Sequence, residues 1–76
     1  MTNEEFNNFM VEGDFSNREI ADKFNELTGG RTTSGYISNI RIGKQAVPKT
    51  VILLVAYLKL EQEFEAAKVL LRDKLS

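Results

Sequence analysis

The chain lacks both cysteine and histidine and has a single proline. Without cysteine there is neither a disulfide framework nor a thiolate nucleophile, and without histidine the commonest metal ligand and acid–base group is missing. These absences exclude zinc sites and catalytic triads, so we expect no cofactor, no small-molecule substrate and no enzymatic activity. The 76 residues suffice for one domain, of a size at which one core gives marginal stability and self-association often adds to it.

Long hydrophobic runs are also missing. The longest, Val51 to Leu58, has eight residues, whereas a helix needs about 20 to cross a bilayer. The acidic N-terminal segment does not resemble a secretory signal, which begins with basic residues. We therefore expect a soluble, cytoplasmic protein with no membrane partner.

The formal net charge is −1, but the charges are distributed unevenly. Residues 1–15 contain acidic residues and no basic one. Residues 28–59 contain no acidic residue and carry five basic ones, namely Arg31, Arg41, Lys44, Lys49 and Lys59. Such a segment favours contact with a polyanion. A solvated loop that is basic without binding anything remains the alternative.

Two capping boxes predict where the first two helices begin. Thr2 is followed three residues later by Glu5, and Ser16 by Glu19. In this motif the hydroxyl and the carboxylate each accept a hydrogen bond from a backbone N–H that the helix itself leaves unpaired. Gly13 is positioned to end the first helix.

The second and third helices are predicted on either side of a Gly-Gly turn. The second should run from about Asn17 to Leu27 and stop at Gly29, with a buried face formed by Ile20, Ala21, Phe24 and Leu27. The third should span roughly Ser34 to Ile42 and bury Ile37 and Ile40. Its remaining surface consists of small, hydrogen-bonding residues, which would allow close approach to a DNA groove.

From Pro48 to Ser76 no glycine or further proline interrupts the chain, so this segment forms either one long helix or two with a break near Leu60. Its run from Val51 to Leu58 is apolar nearly all round, so we expect it to be covered on more than one side. Its apolar residues advance by four, three, four and four positions along one stripe, through Leu60, Phe64, Ala67, Leu71 and Leu75. The stripe packs either on the chain's own core or on a second copy. We expect a homodimer interface, because one small core needs less apolar surface than this chain supplies.

Together these patterns predict an all-α fold, a compact bundle of about five helices in a single domain of residues 1–76. It would contain a helix-turn-helix over residues 16–42 and a C-terminal helical dimerisation segment over residues 60–75.

Residues 16–58 resemble the helix-turn-helix domain of phage repressors and Cro-type regulators, the lambda-repressor-like family. In that family the first motif helix has a polar cap and a small inward residue. The second has an inward isoleucine, then a glycine and a basic residue, and a proline opens the next helix. The corresponding residues are Ser16, Ala21, Ile37, Gly43, Lys44 and Pro48. The connection between the two motif helices is longer here than is usual in the family, with the additional residues in 26–32.

The resemblance implies a sequence-specific, double-stranded DNA-binding transcriptional regulator, a phage-type repressor that binds an operator as a homodimer. The second motif helix would enter the major groove. Base contacts would come from Thr33, Ser34 and Asn39. Phosphate contacts would come from Asn17, Arg31, Tyr36, Arg41, Lys44 and Lys49. Tyr36 is equally compatible with a place in the core, and an adaptor or antirepressor that binds a protein through the apolar C-terminal helix is the alternative function.

Overall fold

The computed structural model describes residues 1–75, except for the side chain of Leu75. Over this range the fold is all-α, with helices α1 (Asn3–Glu12), α2 (Asn17–Thr28), α3 (Ser34–Arg41) and α4 (Lys49–Leu75). The all-helical prediction is confirmed. About five helices were expected, and four are found in the described range, because the segment after Pro48 forms one uninterrupted helix of 27 residues.

Both predicted capping boxes are present. The Thr2 hydroxyl accepts from the Glu5 N–H at 3.1 Å and the Glu5 carboxylate accepts from the Thr2 N–H at 2.9 Å. Ser16 and Glu19 repeat the arrangement at 3.1 and 3.4 Å. The hydrogen bond from the Thr2 backbone holds the pKa of Glu5 below its ordinary value of 4.5. The folded pKa is the lower one, so this cap stabilises α1 above the ordinary pKa and is lost as the pH falls through the folded value.

A single core joins all four helices. α3 packs against both α1 and α2, and the first half of α4 contributes residues to the same core. The buried residues are Phe6, Phe9, Met10, Ile20, Ala21, Ile37, Ile40, Val51, Leu54, Val55 and Leu58. The compact part formed by α1, α2, α3 and residues 49–58 of α4 is called the head below.

Two predictions about this core are wrong. Leu27 was expected to be buried, but it is 54% exposed, because the space between the end of α2 and the start of α4 is an open groove. The run from Val51 to Leu58 was expected to be covered on more than one side. Only one face of it is buried, and Leu53 and Tyr57 on the other face are 60% and 49% exposed. The head therefore carries an open apolar surface next to α4.

The long connection between α2 and α3 is held by the side chain of Asn25. Its Nδ2 donates to the Thr32 carbonyl at 2.8 Å and its Oδ1 accepts from the Thr32 N–H at 2.7 Å. Gly29 ends α2 in the left-handed conformation, with φ of 70°, where a side chain would be strained. These contacts fix the start of α3 relative to α2 despite the additional residues.

The connection between α3 and α4 is anchored to the first turn of α1. Asn3 Nδ2 donates to the carbonyls of Ile40 and Gln45 at 2.7 and 2.6 Å. The Asn39 carbonyl in turn accepts from the backbone N–H groups of Lys44 and Gln45 at 2.9 and 3.2 Å. The first half of the loop, which carries Lys44, is therefore held against α1 and α3.

The second half of α4 projects from the head. Every residue from Lys59 to Lys74 is exposed, and the molecule measures 49 × 26 × 19 Å along its principal axes. Within residues 1–75, the structure contains no helix with the length and hydrophobicity required to span a membrane.

Candidate nucleic-acid interface

The outward face of α3 is defined by the burial of the opposite face. Ile37 and Ile40 are completely buried, so the side of α3 away from the core faces solvent. Thr33 is the N-cap of this helix, and its hydroxyl accepts from the Tyr36 N–H at 3.2 Å. Ser34 and Gly35, in the first turn, are exposed. The exposed start of α3 thus presents small, uncharged groups.

Gly35 is not required by the packing of the chain. A Cβ built on it would meet only the Thr33 hydroxyl, at 3.8 Å, which is an ordinary contact. Glycine favours a helix less than alanine does, by about 1 kcal/mol in a helix interior, and by less at the second residue of a helix, where Gly35 lies. The fold therefore has room for a Cβ at this exposed position.

The three predicted base-contacting residues occupy different environments. Thr33 and Ser34 are exposed at the start of α3, whereas Asn39 is half-buried nearer its end. The Thr33 hydroxyl oxygen accepts a hydrogen bond as the cap, but its O–H still has a proton to donate. The first turn of α3 is consequently the most accessible part of the predicted reading surface.

Of the predicted phosphate-contacting residues, three basic side chains are exposed around α3. Arg31 lies in the loop before this helix, Lys44 in the loop after it and Lys49 at the start of α4. The first turn of α3 has no acidic residue. Positive charge therefore flanks both ends of α3, with no carboxylate at its N-terminus.

Arg41 and Asn17, also predicted to contact phosphates, contact each other. Arg41 Nη1 donates to Asn17 Oδ1 and Arg41 Nε donates to Asn7 Oδ1, both at 2.8 Å. One guanidinium thus joins α1, α2 and α3. Asn7 was not identified from the sequence, because it lies 34 residues from Arg41 and follows no local pattern.

Two further residues between positions 28 and 59, Lys59 in α4 and Tyr36 in α3, contact side chains of the head. Lys59 Nζ lies 5.8 Å from the centre of the Phe9 ring, within cation–π range. Tyr36 is partly buried and packs against the core. Lys59 remains exposed but lies ten residues into α4, so the exposed positive charge that flanks α3 is supplied by Arg31, Lys44 and Lys49.

The predicted dimerisation stripe is exposed along the projecting half of α4. Leu60, Phe64 and Leu71 are 65%, 64% and 61% exposed, and Ala67 is exposed as well. The side chain of Leu75, the last residue of the predicted stripe, lies outside the described part of the chain.

A groove that was not predicted from the sequence is present where this stripe meets the head. It lies between the end of α2 and the start of α4 and is lined by Phe24, Leu27, Thr28, Thr50, Leu53, Leu54 and Tyr57. Leu53 and Tyr57 precede Leu60 by seven and three residues. This spacing was the signal that would have extended the stripe toward the head.

Comparison with models of known families, with curated proteins and with solved structures finds no significant match to this chain.

Proposed function

We propose that this chain is a sequence-specific, double-stranded DNA-binding transcriptional regulator, a phage-type repressor that binds its operator as a homodimer. In this proposal α2, α3 and the loop between them, which the Asn25 side chain holds, act as a helix-turn-helix. The start of α3 enters the major groove.

The exposed first turn of α3 is the observation that carries the proposal. Gly35 lowers the stability of a short helix, and no contact within the chain requires it. A residue without a side chain is useful where another molecule must approach the backbone closely. Ser34 beside it and Thr33 before it offer hydroxyls, which hydrogen-bond to several bases.

The positions of the exposed basic residues also support α3 as the DNA-binding surface. Arg31 and Lys44 flank α3 at its two ends, and Lys49 follows at the start of α4. Phosphate contacts on both sides of a recognition helix fix its register on the duplex without reading sequence. Arg41 acts mainly inside the protein in this proposal, by holding α3 against α1 and α2.

Selection of duplexes from a random pool, followed by binding measurements over a range of salt concentrations, tests the function. We expect one enriched sequence and a log–log slope of affinity against salt of roughly −4 to −8 for a dimer, because each neutralised phosphate contributes about −0.9. Lys44→Ala should reduce the slope by about one per subunit and weaken all sequences equally. Absence of duplex binding at low salt would overturn the proposal.

A graded series at Gly35 separates DNA binding from folding. Gly35→Ala and Gly35→Leu should leave the melting temperature equal to or above that of the wild type, because both residues favour a helix more than glycine does. Affinity for the selected duplex should fall in the order Gly, Ala, Leu as the side chain grows. Equal affinity across the series would mean that the start of α3 does not enter the groove.

The exposed face of α4 also favours a second function, that of an adaptor or antirepressor which binds another protein through this helix. Its apolar residues are more than half exposed at Leu53, Leu60, Phe64 and Leu71. A chain that captures a partner helix but enriches no duplex in the selection would support this function instead.

A further inference from the structure

The exposed apolar residues of α4 follow a seven-residue repeat. They advance alternately by four and three positions, through Leu53, Tyr57, Leu60, Phe64, Ala67 and Leu71, and all six are exposed. A repeat of 3.5 residues keeps an apolar seam facing one partner helix as the two wind around each other, whereas a straight helix on a globular surface follows 3.6. The pattern therefore suits a second helix of the same length.

The seam lies on the side of α4 opposite the residues that pack into the core, and at its start Leu53 and Tyr57 also line the groove beside α2. Val51, Leu54 and Val55 contact the core, and the intervening Leu53 points outward with 60% exposure. Two copies can therefore join along their α4 helices with each head on the outer side of its own helix. Leu27, beside Leu53 and Tyr57 in the groove described above, widens the apolar surface at the head end of the seam.

Charges beside the seam distinguish the possible orientations. With Phe64 and Leu71 at position a of the repeat, Glu63 occupies position g and Lys68 position e. In a parallel pair, position g of one helix meets the following position e of the other, so Glu63 meets the partner's Lys68, twice by symmetry. Lys68 already lies against the seam, with its Nζ 5.5 Å from the centre of the Phe64 ring.

The antiparallel alternative that buries all six residues places like charges together. Leu53 would then face Leu71 of the other copy, and the symmetry axis would pass between Leu60 and Phe64. Glu61 and Glu63, which flank the seam there, would each approach their own symmetry copies. Like charges at these positions oppose pairing.

We propose that two copies of this chain associate through a parallel, in-register coiled coil of their α4 helices from Leu53 to Leu71. At the head end this interface continues into the groove between α2 and α4 that Leu27 lines. The proposal rests on the homodimer of the proposed function and specifies its geometry, but it does not require that the dimer bind DNA.

Cysteine cross-linking in the absence of DNA tests the orientation, and the cysteine-free chain makes each variant carry a single thiol. We would oxidise Leu53→Cys, Leu71→Cys and an equimolar mixture in which one variant carries a mass tag. In the parallel pair each variant forms a disulfide with itself. The two positions lie about 27 Å apart along the helix, so no mixed product forms.

Val69→Cys is the matched control, because Val69 is an exposed apolar residue of the same helix that lies off the seam. It should form no covalent cross-link under the same oxidation, although the two copies still associate. A mixed Leu53–Leu71 product without self-linked ones would overturn the parallel geometry in favour of the antiparallel one. No cross-link in any variant, together with a monomer in sedimentation under reducing conditions, would overturn the pairing altogether. Cross-linking as expected in a chain that binds no duplex would instead refute the DNA-binding function alone.

Discussion

Phe64→Glu is expected to convert the protein to a monomer and to weaken binding to its selected duplex by about 100-fold or more. Phe64 is 64% exposed and lies outside the core, so a carboxylate at this position leaves the fold of the head intact. In the proposed dimer the same residue lies at the centre of the seam, where burying a charge without a partner is costly. Loss of the dimer removes the gain of linking two half-sites, which is typically 10²–10⁴-fold. Sedimentation and binding titrations measure the two effects.

Val69→Glu provides the control, since it adds the same charge to an exposed apolar residue of α4 that lies off the seam. This variant should remain dimeric and lose only the small affinity that one extra negative charge costs. If both variants behave alike, general repulsion from DNA explains the loss and the seam has no part in it. A dimeric Phe64→Glu protein would place the interface elsewhere.

Arg41→Ala is expected to destabilise the domain by about 2–3 kcal/mol, after allowance for the partial exposure of the guanidinium. The substitution removes both charge-assisted hydrogen bonds that join α3 to Asn7 and Asn17. For a domain of this size such a loss lowers the melting temperature by roughly 10–20 °C. Thermal unfolding followed by circular dichroism measures it.

Two variants separate this structural role from contact with phosphate. Arg41→Lys keeps the charge but lacks the planar group that reaches two acceptors at once, so most of the destabilisation should remain. Arg31→Ala removes an exposed arginine of the same basic segment; it should weaken DNA binding without changing the melting temperature. An Arg41→Ala protein that melts like the wild type and binds DNA poorly would show that Arg41 acts mainly on the phosphate backbone.

Features set by short-range rules could be predicted from the sequence. Thr2 with Glu5 and Ser16 with Glu19 form the predicted capping boxes because the motif depends only on residues three apart. The left-handed Gly29 at the end of α2 follows from the same kind of local preference. Residues Ile20, Ala21, Ile37 and Ile40 are buried as their helical spacing indicated.

Features that depend on where helices lie in space could not be predicted. Leu27 continues the buried pattern of α2, yet it lines an open groove beside α4, and the pattern alone contains no information on how closely a neighbouring helix packs. The clamp between Asn25 and Thr32 pairs a side chain with a backbone segment across a loop. Arg41 was assigned to DNA on account of its charge, because its partners in α1 and α2 are distant in sequence.

The site itself was predictable in part. The exposure of Ser34 and Gly35 followed from the positions of Ile37 and Ile40. The room for a side chain at position 35 could be recognised only from the structure, because it depends on which atoms surround Gly35. Whether these residues contact bases remains a prediction for the duplex selection and the Gly35 series.

The projecting half of α4 has a consequence for how folding and assembly are related. An isolated helix of about 15 residues is marginal in water, and the residues from Leu60 to Lys74 are exposed and lack the support that packing in the core gives. In the proposed dimer this support comes from the second copy. The helical length of α4 would then depend on protein concentration: in dilute solution its outer turns fray, and as copies accumulate pairing and helix formation occur together. A regulator built in this way would complete its own fold only once enough of it has been made.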